Sequence, residues 1–243
     1  MVIKKIFKIH YNIFFFFLFL SKAIAEPTLV RSKAVENVTG DYLTMALTFN
    51  NDGTKMYTSS MRAGATGDRL YEYELTTAYN ISTATLRTSI NVGTYSGSST
   101  NIHGAMQVVF NNDGTKMFIA DHHKTIIEWT LTTPYDIDTA STTYNAGQGY
   151  DTNANQKRPS SVAFNNDGTK MYVTGNHKSG NPQSIHEYTL DTPFVITSGV
   201  THAQEVQPDP QPDYIDGIVF NYDGTKMYIT SSVDNKIKQY KLT

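Results

Sequence analysis

One nine-residue phrase recurs four times, and it limits what this chain can fold into more than any other feature. It reads Phe49-Asn50-Asn51-Asp52-Gly53-Thr54-Lys55-Met56-Tyr57 and returns with small changes at 110–118, 164–172 and 220–228. The phenylalanines stand 61, 54 and 56 residues apart, which fits one supersecondary unit reused with loops of unequal length. Some twenty residues after each Phe lies an alternating segment ending in Leu, at 70–75, 126–131, 185–190 and 237–242. In three copies a turn phrase comes next, at 76–81, 132–137 and 191–196. Each copy therefore predicts one four-stranded antiparallel sheet, with strands A to D rich in aromatic and β-branched residues.

The Asp-Gly inside each phrase predicts a two-residue hairpin joining strand A to strand B, because glycine accepts positive φ without a Cβ clash. A calcium loop is the rival reading of Asn50, Asp52 and Thr54. The stretch lacks the further ligands and the closing Glu of a twelve-residue loop. Small sheets of this kind cannot bury both faces alone, so they are expected to stack radially, each between two neighbours. Met56, Met117, Met171 and Met227 then fill gaps between twisted sheets.

The combination of F-N-x-D-G-T-K-M-Y, E-Y-T-L and T-P-Y-D-I resembles the DGTKMY-type β-propeller repeats of bacterial and phage proteins, distant relatives of the YVTN and lactonase-like propellers. The resemblance covers nearly all of 29–243. It implies a propeller fold and no catalytic residue, since such propellers host binding, scaffolding and enzymatic roles.

The expected architecture is all-β: a β-propeller of four blades, each of four antiparallel strands, with repeat cores near 43–90, 104–144, 158–203 and 214–243. The fourth unit ends after its third strand, while an unmatched extended segment at 28–38 precedes the first. Placed as the outer strand of the last blade, that segment closes the ring. The alternative is an open half-ring that pairs with a second copy into eight blades by the same strand exchange, so both monomer and dimer stay open.

Residues 1–25 read as a signal peptide. Lys4, Lys5 and Lys8 make a basic start, 13–20 is apolar, and Ala23-Ile24-Ala25 has the pattern of a processing site. The apolar run is too short for a comfortable permanent membrane span. Cleavage near Ala25 leaves 26–243 as a single propeller domain, periplasmic or secreted. It also removes four lysines, so Lys plus Arg falls from 20 to 16 against 22 Asp plus Glu, a net charge of −6. An acidic chain without a basic cluster is a poor nucleic-acid binder. The chain has no Cys, which fits export and removes thiol chemistry.

Catalytic signatures are absent: there is no G-x-S-x-G, H-E-x-x-H or G-x-x-x-x-G-K-[ST]. His186-Glu187 sits where Glu72 and Glu128 recur, which points to a repeated structural site. The copies differ most in the B-to-C and D-to-A connections, expected on one face around the axis. Those connections hold His103, Asp121, His122, His123, Arg158, His177 and Asp216. They are the candidate ligand-binding set, and Asp121, His122, His123, His177 and His103 could instead hold a divalent metal; no other cofactor is implied. Two function classes emerge. One is a secreted non-catalytic propeller that binds a protein, glycan or cell-envelope component. The other is a metal-dependent, lactonase-like hydrolase or lyase with a polar axial site.

Overall fold

A computed structural model describes residues 32, 41–62, 68–93, 104–122, 125–140, 148–177, 183–210, 212, 214–231, 233 and 235–242. The chain divides into two units, Met1–Ala34 and Val35–Thr243. Every described residue except Ser32 belongs to the second.

The second unit is four antiparallel sheets in chain order, arranged as a propeller. Blade 1 is β1 (Asp41–Phe49), β2 (Lys55–Arg62), β3 (Asp68–Leu75) and β4 (Ala84–Gly93). Blade 2 is β5 (Ala105–Phe110), β6 (Lys116–Asp121), β7 (Thr125–Thr130) and the short β8 (Gly149–Asp151). Blade 3 is β9 (Gln156–Phe164), β10 (Lys170–His177), β11 (Ser184–Leu190) and β12 (Val200–Val206). Blade 4 is β13 (Gly217–Phe220), β14 (Lys226–Ser231) and β15 (Lys236–Lys241), a sheet of three described strands. Helix is confined, among the described residues, to single 3-10 turns at Ile81–Thr83 and Ile137–Thr139. The expected closing strand, 28–38, lies outside the described residues apart from the exposed Ser32.

Alternation within each strand gives every blade two apolar faces, and neighbouring blades share the cores between them. Tyr57 and Leu70 of blade 1 meet Val108, Met117, Ile127 and Trp129 of blade 2. Phe118 and Ile126 of blade 2 meet Val162, Met171 and Tyr188 of blade 3. Ile185 and Tyr172 of blade 3 meet Ile218, Met227 and Ile229 of blade 4. All four strand-B methionines are buried, as gap-filling between sheets requires. With no Cys to cross-link it, the domain rests on this burial and on strand pairing.

The hairpins differ from the expected two-residue turns. In blade 2 the strands part after Phe110 and rejoin at Lys116. Asn111 donates its backbone N–H to Lys116 O (3.1 Å), and its Oδ1 accepts the Lys116 N–H at 2.8 Å. A side-chain amide thus completes a ladder rung that a tighter turn would have made from backbone alone. Gly114, at φ 71°, donates to Asn111 O, and Asp113 Oδ1 accepts from Thr115 N at 3.0 Å and from Thr115 Oγ1 at 2.6 Å. The same pattern holds around Gly53, Gly168 and Gly224, each with positive φ. Asn, Asp, Gly and Thr therefore recur because the turn uses all four, and Asp is occupied by Thr where a calcium loop would leave it to a cation.

Candidate functional site

The two ends of the propeller have different chemistry. At the Asp-Gly end the same groups join one blade to the next. Tyr57 packs on Phe110 with ring centroids 4.6 Å apart, Phe118 on Phe164 at 4.5 Å, and Tyr172 on Phe220 at 4.6 Å. Lys55 Nζ lies 2.8 Å from Glu72 Oε1 and donates to Tyr135 O of the next blade at 3.0 Å. Lys116 repeats this with Glu128 Oε1 (2.6 Å) and Phe194 O (2.8 Å). The second carboxylate oxygen accepts a backbone amide from the next blade: Ile137 N to Glu72 Oε2 at 3.1 Å, and Ile196 N to Glu128 Oε2 at 2.9 Å. Arg87 also donates to Glu72 and pairs with Asp136 of blade 2. The recurring Glu is thus structural, as expected from its position. Hydrogen bonding to Glu72 holds the Arg87 guanidinium firmly protonated, and burial, then the Glu72 charge, drives the Tyr57 hydroxyl pKa upward. Neither group is available for acid–base work near neutrality.

A ladder of side-chain amides runs around the same end. Asn51 Nδ2 donates to Asn112 O at 2.6 Å, Asn112 Nδ2 to Asn166 O at 2.6 Å, and Asn166 Nδ2 to Tyr222 O. The ladder stops there, because the fourth phrase has Tyr222 where the other three have Asn.

The opposite end carries the candidate ligand set. Asp121 closes β6 opposite Ala105 and Thr125, with its side chain buried. His122 comes next, half-buried, and donates its backbone N–H to Gly104 O at 3.1 Å. Arg158 is exposed on β9 opposite Asn176, and His177 ends β10 opposite Gln156, so strand pairing brings both to one end of blade 3. Gly175 between them approaches Arg158 O so closely that a Cβ would overlap it. Asp216 is half-buried just before β13, and its backbone N–H donates to Thr230 O at 3.0 Å. His103 and His123 lie outside the described residues, as does the side chain of His177. Among the described residues no three His, Asp or Glu side chains gather as metal ligands would.

Polar groups that sequence reasoning did not select line the inner strands. Gln107 of blade 2 accepts from Ser161 Oγ and, at 2.8 Å, from Val162 N of blade 3, while Ser161 Oγ accepts from Ile218 N of blade 4 at 3.0 Å. Ser160 Oγ donates to Ile215 O at 2.8 Å. These contacts tie three blades together at the axis. They went unselected because they span more than fifty residues and belong to no repeated phrase. Blade 3 also holds a ring pair, with His186 Nδ1 3.0 Å from His202 Nε2. Beside it burial pushes the Tyr188 hydroxyl pKa up to about 12.

A cavity of about 1180 Å³ is lined by residues of all four blades, most of them from blades 3 and 4. Its walls include Leu47 and Thr48 of β1, Gln107 of β5, and Val219, Tyr228 and Ile237 of blade 4.

No family model matches the chain, and no curated protein matches it. Among solved structures it is similar to the β-propeller domain of Myceliophteria_thermophila Cps50 (Swd1), at 12% identity and a TM-score of 0.47. The match covers 83% of this chain and 54% of that one, so the chain spans about half the length of that structure.

Proposed function

We propose that the protein is an exported, non-catalytic β-propeller that binds a protein, glycan or cell-envelope ligand through the end carrying Asp121, His122, Arg158, His177 and Asp216. The supporting observation is how the two ends are used. At the Asp-Gly end the recurring Lys, Glu, Asn and aromatic groups are spent on blade-to-blade contacts. The opposite end joins the strands through connections of different length and composition in each blade. A recognition surface needs different groups at different angles around one ligand, which repetition does not supply.

Export rests on the basic, apolar and small-residue order of 1–25. The likeness of the repeats to DGTKMY-type propellers supports the binding reading over any single reaction. Screening the purified protein against an array of glycans and envelope components, with its metal content measured in parallel, tests the proposal. A saturable ligand with no stoichiometric divalent ion supports it. A stoichiometric ion together with ester or lactone hydrolysis would replace it with the hydrolase reading.

A further inference from the structure

Three blade-to-blade junctions are built from the same parts in the same geometry. The paired rings are tilted by 50°, 47° and 48° at nearly constant centroid separations. Equal junctions mean an equal rotation per blade, and a ring closes only if the number of steps completes a turn. After three such steps the fourth contact is not made: Tyr228, the blade 4 equivalent of Tyr57, has no ring contact with Phe49, the blade 1 equivalent of Phe110. The cavity of about 1180 Å³ reaches this uncovered face of blade 4, which gives Tyr228, Thr230 and Ile237 to its lining.

Position by position, blade 4 presents an unfilled junction. Ile237 is 76% exposed, whereas its equivalents Leu70, Ile126 and Ile185 are buried at 0%, 0% and 2%. Thr230 and Gln239 are exposed where Ser59, Ala120 and Thr174, and Glu72, Glu128 and Glu187, are buried. On blade 1, Leu47 is 62% exposed, whereas Val108, Val162 and Ile218 at the same position are buried against the preceding blade. Blade 4 thus presents one half of the repeated junction, and blade 1 presents the matching half.

We infer that the exposed face of blade 4 is an interface for blade 1 of a second copy of this chain, two copies closing one eight-bladed ring through two equivalent junctions. Self-complementarity identifies the occupant. Inside the chain, the faces bearing Tyr57, Phe118 and Tyr172 are each covered by a Phe-bearing inner strand of the next blade. The blade 4 face is built to take the same partner, and each copy presents one at β1. Head-to-tail junctions of this kind close when the step divides the turn, so the two copies are related by a two-fold axis.

Light scattering on the purified protein is expected to give twice the mass of one chain. Ile237→Asp and Leu47→Asp, both at exposed side chains, should each halve it without changing the circular dichroism of the sheets. Because the chain has no Cys, a Phe49→Cys/Tyr228→Cys variant treated with a short bis-maleimide reads the pairing directly. A link between two chains is the predicted product. A mass of one chain, a dimer that survives both aspartates, or a link formed only within one chain would each overturn the inference; the last would show that blade 4 closes on its own blade 1.

Discussion

The ring of Tyr135 lies flat against Gly114, the glycine of its own blade's hairpin, so closely that a Cβ on Gly114 would occupy the ring's place. Tyr135 N also donates to Gly114 O at 2.9 Å. Tyr79 over Gly53 and Phe194 over Gly168 repeat the relationship, whereas Gly224 has open space above it. Each hairpin in blades 1 to 3 is thus clamped by the turn phrase that succeeds the third strand.

This separates two effects of replacing the glycine. Gly224→Ala meets only the cost of a positive φ, about 1 kcal/mol. Gly114→Ala meets that cost and must also displace the Tyr135 ring. Urea unfolding should show a distinctly larger loss of stability for Gly114→Ala than for Gly224→Ala, and equal losses would mean the ring clamp contributes nothing.

Glu72 is fully buried and takes hydrogen bonds from Lys55, Arg87 and the Ile137 amide. Glu72→Ala leaves Lys55 and the Ile137 amide without this acceptor and Arg87 with Asp136 and Asp138 as its remaining anions, a loss of about 3 kcal/mol by analogy with broken buried pairs. Glu187→Ala should cost much less, because Glu187 accepts from Lys170 and Gln204 of its own blade and, among the described residues, receives no amide from blade 4. Comparing the two by chemical denaturation tests whether this carboxylate matters chiefly as a link between blades.

The repeat spacing made the blades legible. The turn closure was only half legible. Asp-Gly signalled the reversal, yet the rung made by the Asn111 side chain and the ring over Gly114 depend on residues that come together only in the folded sheet. Asp121 was legible as the end of its strand because the connection after it differs between copies, whereas Arg158, read into the connection before blade 3, lies within β9 and pairs with Asn176. Gln107 and Ser161 were not legible, since nothing local marks a contact between inner strands of different blades. Tyr222 carried a readable signal as the one departure from Asn in its position, whose meaning emerged from the ladder it ends.

Stability should depend on acid in one direction. Hydrogen bonds from Thr115 Oγ1 and N hold the Asp113 carboxyl below its ordinary value of 3.8, and Thr54, Thr169 and Thr225 do the same for Asp52, Asp167 and Asp223. Burial raises the pKa of Glu187, but hydrogen bonds from Lys170 and Gln204 outweigh it and leave the value lowered. A carboxyl depressed on folding contributes stability above its unfolded pKa and loses it as pH falls through the folded one. Thermal unfolding should therefore be insensitive to these groups above roughly pH 5 and drop on acidification below roughly pH 4. Thr115→Val should shrink that acid-dependent drop.

Whether recognition belongs to the variable end is tested most directly by comparing ligand binding of variants at the two ends of the propeller, using whichever array component binds the wild type. Arg158→Ala and His177→Ala change the variable end, and Thr132→Ala changes an exposed residue beside the repeated turns. The first two are expected to weaken binding at least several-fold, as loss of a polar contact worth about 1–3 kcal/mol would, while Thr132→Ala leaves it unchanged. Binding that survives both Arg158→Ala and His177→Ala but falls with Thr132→Ala would place recognition at the Asp-Gly end and contradict a ligand site at the variable one.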